Sequence, residues 1–319
     1  MVRLIARRLV LGLATVALVS LIIFAGVEAL PGDACTAFLE RDAQGQLLEN
    51  CRRDLGLNRS APRRYLDWVA NLLAGDLGRT ANGQRPIADL VGPRARNSFL
   101  LASIAALVGI PLAIVLGVIT ALARDRLADI WLSAVAILAM TVPEFVSATV
   151  LLLVFSVWLG WFPGVVLVSA DAPIAALLPQ LVLPVITVTL VLTAHILRMV
   201  RSSVIEVMGS DYVQMAVLKG VPYWQVVFRH VLPNALLPAI NIIALTIAWL
   251  LGGLVVIEIV FNYPGLGRLM IESITKRDLP VVQAIAIILA LVYVGVNLLA
   301  DLMTMVLNPR LRTHHGGRR

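Results

Sequence analysis

Six stretches of this chain run for 18 residues or more with few or no charges, and no other feature limits its possible folds so sharply. A run of that length is what an α-helix needs to cross the hydrocarbon core of a bilayer. In lipid, only helices and closed barrels satisfy their own backbone. The runs are continuous and not alternating, which excludes a barrel. Composition agrees: 60% of the residues are hydrophobic and 14% charged, where a soluble domain carries about a quarter charged. The expected fold is all-α, a polytopic membrane protein with six transmembrane helices.

Charge orients the expected spans. Arg3, Arg7 and Arg8 precede the run 9–30, so the amino terminus is expected on the cytoplasmic side. That run exceeds the roughly 7–15 apolar residues of a cleaved signal peptide and reads as an uncleaved span. The net charge of +7 is accounted for by the same topology, with no need of nucleic acid. Residues 31–95 form an extracytoplasmic loop, in which Pro62 to Leu73 has the spacing of an interfacial amphipathic helix bearing Tyr65 and Trp68. Cys35 and Cys51 share this loop, as a disulfide or as two free thiols, and neither has the neighbours of a metal site. A five-helix core then covers 96–310, with a cytoplasmic loop at 202–233 and an outer loop at 261–280, and 311–319 is a cytoplasmic tail.

Two features inside the core invite a functional reading. Val142-Pro143-Glu144-Phe145 falls near the centre of the span 129–159, where proline breaks a helix and a carboxylate is costly unless it faces protein or water. Glu144 therefore either lines a pathway or caps the half-helix after Pro143, and Asn241 is a second pathway candidate. His195 is either a proton relay or a histidine hydrogen-bonded between helices.

Between the fourth and fifth spans, Asp211 to Trp224 carries its own helical signals. Asp211 suits a helix N-terminus and Lys219 a C-terminus. Gly220 supplies a left-handed stop, and Pro222 reads as the first position of a second helix leading through His230, Leu232 and Pro233 into the fifth span. Nothing there can do chemistry. The chain also lacks Gly-x-x-x-x-Gly-Lys-[Ser/Thr], Gly-x-Ser-x-Gly, His-Glu-x-x-His and Cys-x-x-Cys, so no nucleotide-hydrolysing or hydrolase motif is present. The expectation is a non-enzyme.

The spacing of Ala216, Gly220, His230 and Leu232-Pro233 resembles the cytoplasmic loop of ABC importer permeases, Glu-Ala-Ala, three residues, Gly, nine residues, Ile, one residue, Leu-Pro. Gln214 and Met215 stand for the Glu and first Ala, and His230 for the Ile. Those departures resemble the dipeptide/oligopeptide branch, whose version reads Asp-Tyr-Val-Arg-Thr-Ala-Arg-Ala-Lys-Gly, here from Asp211-Tyr212 onward. Glu258 to Gly267, Arg277-Asp278, Asn297 to Asp301 and Asn308-Pro309-Arg310 resemble the same family. The resemblance implies a type I importer permease fold with both termini cytoplasmic. It implies a subunit that forms half of a translocation pathway with a second homologous permease, fed by an extracytoplasmic binding protein and driven by two ATP-binding subunits. ATP and Mg would sit on those partners and no cofactor on this chain. Helix 211–219 would dock on an ATPase, with Ala216 and Gly220 allowing close approach to it. Di- or oligopeptides are the implied cargo, with nickel complexes, glutathione, opines or oligosaccharides as alternatives. An ion-coupled secondary transporter using Glu144 and His195 is the reading from another class.

Overall fold

The computed structural model describes residues 2–29, 32, 35–36, 44–54, 56–81, 83 and 85–307, and the expected tail 311–319 lies outside them. The described residues form helices and connections, with one isolated bridge between Arg79 and Pro86. In order the helices are α1 (Val2–Glu28), α2 (Gly45–Asp54), α3 (Ala61–Leu73), α4 (Ile87–Leu122), α5 (Leu127–Thr141), α6 (Glu144–Leu152), α7 (Val182–Met208), α8 (Asp211–Leu218), α9 (Leu232–Val260), α10 (Leu266–Thr275) and α11 (Leu279–Leu307). Among the described residues, five helical segments are long and apolar enough to cross a membrane, and the pair α5–α6 makes a sixth when counted as one broken span.

That break is the third span of the sequence reading, and it bends by 106°. Pro143 has no N–H to continue the helix and pushes the preceding Val142 into an extended conformation (φ −74°, ψ 126°). Glu144 then opens α6, which runs on through a wide turn of π-helix at Leu153–Trp158.

The core is built on α7, most of whose buried face is met by α4 and α9. On α4, Ala105, Gly109, Ala113, Gly117 and Ala121 recur every fourth residue and are all buried. Such a strip lets two backbones approach closely, which is how helices associate where lipid removes the hydrophobic drive. A methyl group on Gly117 would lie 2.7 Å from Val200 Cβ and 2.9 Å from the Leu197 carbonyl oxygen. At Gly109 it would lie 2.6 Å from Leu192 Cδ2. Helix α1 is peripheral, resting on α11 through Gly12 against Val294 and through an Arg8–Asp301 ion pair of 2.7 Å.

Three boundaries differ from the expected ones. The second span begins at Ile87, not near residue 96, because the helix continues past the apolar window; Arg94 Nη1 donates to the Leu90 carbonyl within it. The fourth span, expected from about Leu177 to Val200, begins at Val182, since Pro179 confines residues 178–180 to a 3₁₀ turn, and extends to Met208. The loop expected to start at 202 is therefore helical for its first seven residues.

Two ends of the bundle follow from these contacts. One carries the α4–α5 turn, the end of α7, and α8. The other carries the outer ends of α1 and α4 together with α3 and α10.

Candidate functional site

Helix α8 starts at Asp211 after Ser210, whose hydroxyl donates to the Val207 carbonyl at 2.5 Å and accepts no α8 amide. It stops in a two-bond lock. Gly220 N–H donates to Val217 O (2.9 Å) and Val221 N–H to Ala216 O (3.2 Å), with Gly220 at φ +74°. This is a Schellman arrangement, in which glycine adopts the left-handed angle without strain. A Cβ on Gly220 would meet no atom within 4 Å. The residue is thus a turn-former, and within this chain no close contact requires it.

Val213 and Ala216 are the buried residues of α8, packed with Val204, Val226 and Val231. This corrects the expectation that Ala216 faces a partner: its small side chain seats α8 on its own chain. What faces outward is apolar. Met215 is 54% exposed and Leu218 80%, with Tyr212 and Val217 beside them. Gln214 Nε2 turns back to the Gly209 carbonyl at 3.1 Å, and Asp211 and Lys219 are exposed at the two ends.

Pro222 lies one position before the second helix and not in it, with Tyr223–Gln225 helical and Val226–Val231 a π-helix. A π turn widens the backbone just ahead of Pro233, whose ring would crowd the carbonyl one turn back in a regular helix. The His230 carbonyl there accepts Asn234 Nδ2 at 2.8 Å and, at 3.4 Å, the Tyr212 hydroxyl from α8. Leu232 is the first residue of α9, so the connection from α8 into that span is helical almost throughout. Tyr223, Trp224 and Phe228 form an exposed aromatic ladder along it, with centroid distances of 5.4 and 6.0 Å.

A clamp not anticipated from sequence ties this end to the broken span. Arg201, near the end of α7, grips Asp129 of α5 with two bonds, Nε to Oδ1 at 2.6 Å and Nη2 to Oδ2 at 2.7 Å. Asp129 also accepts Ser133 Oγ and the Asp125 amide. Its side chain is 4% exposed, whereas that of Arg201 keeps 28%. In the sequence each is only a charged residue beside an apolar run.

The pathway candidates are placed elsewhere. Glu144 is half-buried in the first turn of α6, beside a small cavity lined by Thr187, Val188, Val191, Leu250, Leu254 and Ile257. His195 is its electrostatic partner. The Nδ1–H of His195 donates to the Val191 carbonyl at 3.0 Å, one turn back on its own helix. Asn241 lies on α9, and its side chain falls outside the described set. Cys35 is disulfide-bonded, and Cys51, the only other cysteine in the sequence, lies on α2.

Two family models match this architecture: binding-protein-dependent transport system inner membrane component over residues 113–313, and the N-terminal membrane component of the same systems over 1–90. The chain belongs to this permease family. It is a multi-pass inner-membrane permease component of a binding-protein-dependent ABC importer. Similar proteins include a probable peptide ABC transporter permease of Sinorhizobium fredii, 31% identical over 97% of this chain and 98% of the relative. A putative peptide transport system permease of Brucella abortus is 34% identical over 98% and 99%. The glutathione transport system permease GsiC of Pectobacterium atrosepticum is 34% identical over 93% and 95%. The longer model match spans the broken span, α7, α8, the aromatic ladder and α9, so the whole α8 end falls within the permease pattern.

Proposed function

We propose that this permease forms half of a pathway for di- or oligopeptides, paired with a second homologous permease and driven through α8 by a partner ATPase. The observation that carries the proposal is the outward apolar face of Met215 and Leu218 on a helix locked at both ends to its own chain. An exposed patch of this kind on a rigid element marks a docking site. Two ATP-binding subunits, holding ATP and Mg, supply the work, and an extracytoplasmic binding protein delivers the cargo. This chain then binds no nucleotide or cofactor itself. Displacement of α8 passes to α9 through the π-helical joint and to α5 through the Arg201–Asp129 clamp. Glu144 is placed to feel that motion, because it opens the second half of the span whose first half the clamp holds. Peptide cargo rests on the names of the peptide permease relatives; glutathione, itself a small peptide, is the cargo of another.

The test is co-purification and uptake. Met215→Asp combined with Leu218→Asp is expected to leave the chain inserted while ATPase subunits no longer co-purify and uptake ceases. Retained association in that variant removes the docking role. The purified chain moving solute uphill without an ATPase would instead favour an ion-coupled transporter.

A further inference from the structure

At the end opposite α8, helices α1, α2, α3 and the start of α11 line an open cavity of about 720 Å³, within the usual range for a small-molecule site. Arg52, Arg53, Arg59 and Arg64 line it, with Glu28 and Asp67 as the carboxylates among the described lining residues. Gly56, at φ +66°, turns the chain after α2 so that Arg59 returns over the space. Arg59 pairs with Asp67 at 2.9 Å and Arg64 with Glu28, each through a single guanidinium nitrogen. Arg64 Nε is buried and has no hydrogen-bond partner. A buried guanidinium donor left unpaired is costly, and an added acceptor removes that cost.

Beside the cavity, and sharing Phe24 and Glu28 with it, lies a groove of about 570 Å³ between α1 and α3. Its walls are almost wholly apolar, including Leu21, Ala25, Pro62, Tyr65 and Leu66. Leu21, on the least buried of the candidate spans, is 50% exposed, and Leu66, on α3, 66%. The groove holds its shape because Phe24 packs against Tyr65 and Trp68, and Ser20 Oγ meets Tyr65 Oη at 2.9 Å.

We infer that these two spaces together bind one anionic phospholipid of the leaflet at this end, its phosphate among Arg53, Arg59 and Arg64 and an acyl chain along Leu21, Tyr65 and Leu66. The acceptor oxygens of a phosphodiester match guanidinium donors in charge and geometry. The apolar groove distinguishes a lipid from a free anion, which would have no use for it. The bound lipid fastens α3 to α1 at the membrane surface.

Native mass spectrometry of the permease purified with its partner subunits tests this, with dioctanoyl phosphatidylglycerol, the matching phosphatidylethanolamine and inorganic phosphate as probes. One phosphatidylglycerol is expected to bind, about tenfold more tightly than phosphatidylethanolamine, and Arg64→Gln is expected to lose about that factor. Glu28→Gln frees Arg64 and should hold or tighten binding; a loss equal to that of Arg64→Gln would mean that only the seating of α3 had been disturbed, and would overturn the site. Leu21→Trp fills the groove and should weaken lipid binding. Phosphate that competes as well as the lipid, together with an inert Leu21→Trp, reduces the site to an anion site and ends the proposal. Equal binding of the two lipids ends it as well. Where Arg64→Gln fails to insert, Arg53→Gln and Leu21→Trp decide the matter.

Discussion

At the α10 end of the bundle Glu258 is 1% exposed and its carboxylate is spent on its neighbours, whereas at the α8 end Leu218 leaves 80% of its surface open with nothing of its own chain to cover it. Glu258 accepts Ser98 Oγ at 2.5 Å and the Arg268 amide at 2.9 Å, so it fills the role of a cap at the start of α10. Ser98 in turn accepts the Leu266 amide at 2.8 Å. Tyr263 Oη donates to the Asn97 carbonyl at 2.7 Å, and Asn97 Nδ2 reaches the Pro264 carbonyl at 3.0 Å. Burial, and then the nearby Glu258, push the Tyr263 phenol above its ordinary pKa, so it remains a donor at any working pH. Here α4, α9 and α10 are bolted into one piece. The α8 end is fixed to its own chain by small residues and backbone bonds, and keeps its larger apolar side chains for something else. A lever needs both: a rigid frame at one end and a face free to be gripped at the other.

The largest expected effect tests the rigid end. A Cβ on Gly265 would fall 2.1 Å from Glu258 Oε1 and 2.2 Å from its Cδ, with no slack in a cluster so fully bonded. Gly265→Val is expected to cost about 3 kcal/mol or more. The thermal midpoint and yield of the detergent-purified protein measure it. A variant that folds normally would show that the α10 end is looser than its hydrogen bonds imply.

Next comes the clamp at the α8 end, which ties α7 to the broken span. Removing one partner of a buried ion pair costs more than removing both, because a charge is left without a counterion. Asp129 is the more deeply buried member, so Arg201→Ala should destabilise by about 3 kcal/mol, Asp129→Ala by about 2, and the double variant by no more than Arg201→Ala alone. Thermal midpoints of the three variants give the coupling. If the clamp carries motion, the double variant will also hydrolyse ATP in complex while importing less, a defect that stability alone does not produce.

These two sites mark where sequence reading stops. The stop at Gly220, the break at Pro143 and the helix Ala61–Leu73 each depend on residues within a turn or two, and so are readable from the chain itself. Asp129 and Arg201 are 72 positions apart, and a charged residue at a span end looks the same whether it meets water or another helix. The strip Ala105 to Ala121 is regular enough to notice, yet its partner α7 is set only by folding. The face of α8 was misassigned at Ala216 for a related reason: in a helix of eight residues, apolar on most sides, spacing does not say which side is inward.

The smallest effect separates two roles for Gly220 at the free end. If it serves chiefly to take the left-handed angle that ends α8, the substitutions should rank by backbone preference. Asn tolerates φ near +60° better than Ala does, so Gly220→Asn should be nearly neutral and Gly220→Ala should cost about 1 kcal/mol in the lock that holds α8. If glycine is instead required because an ATPase backbone lies against it, size decides and the order reverses, with Asn the worse of the two. The open space around Gly220 within this chain makes the first order the expected one. Uptake and ATPase co-purification in the two variants read out the order directly. An intact Ala variant beside a defective Asn variant would move Gly220 from the turn into the docking surface, and the free end would then include backbone as well as the apolar side chains of Met215 and Leu218.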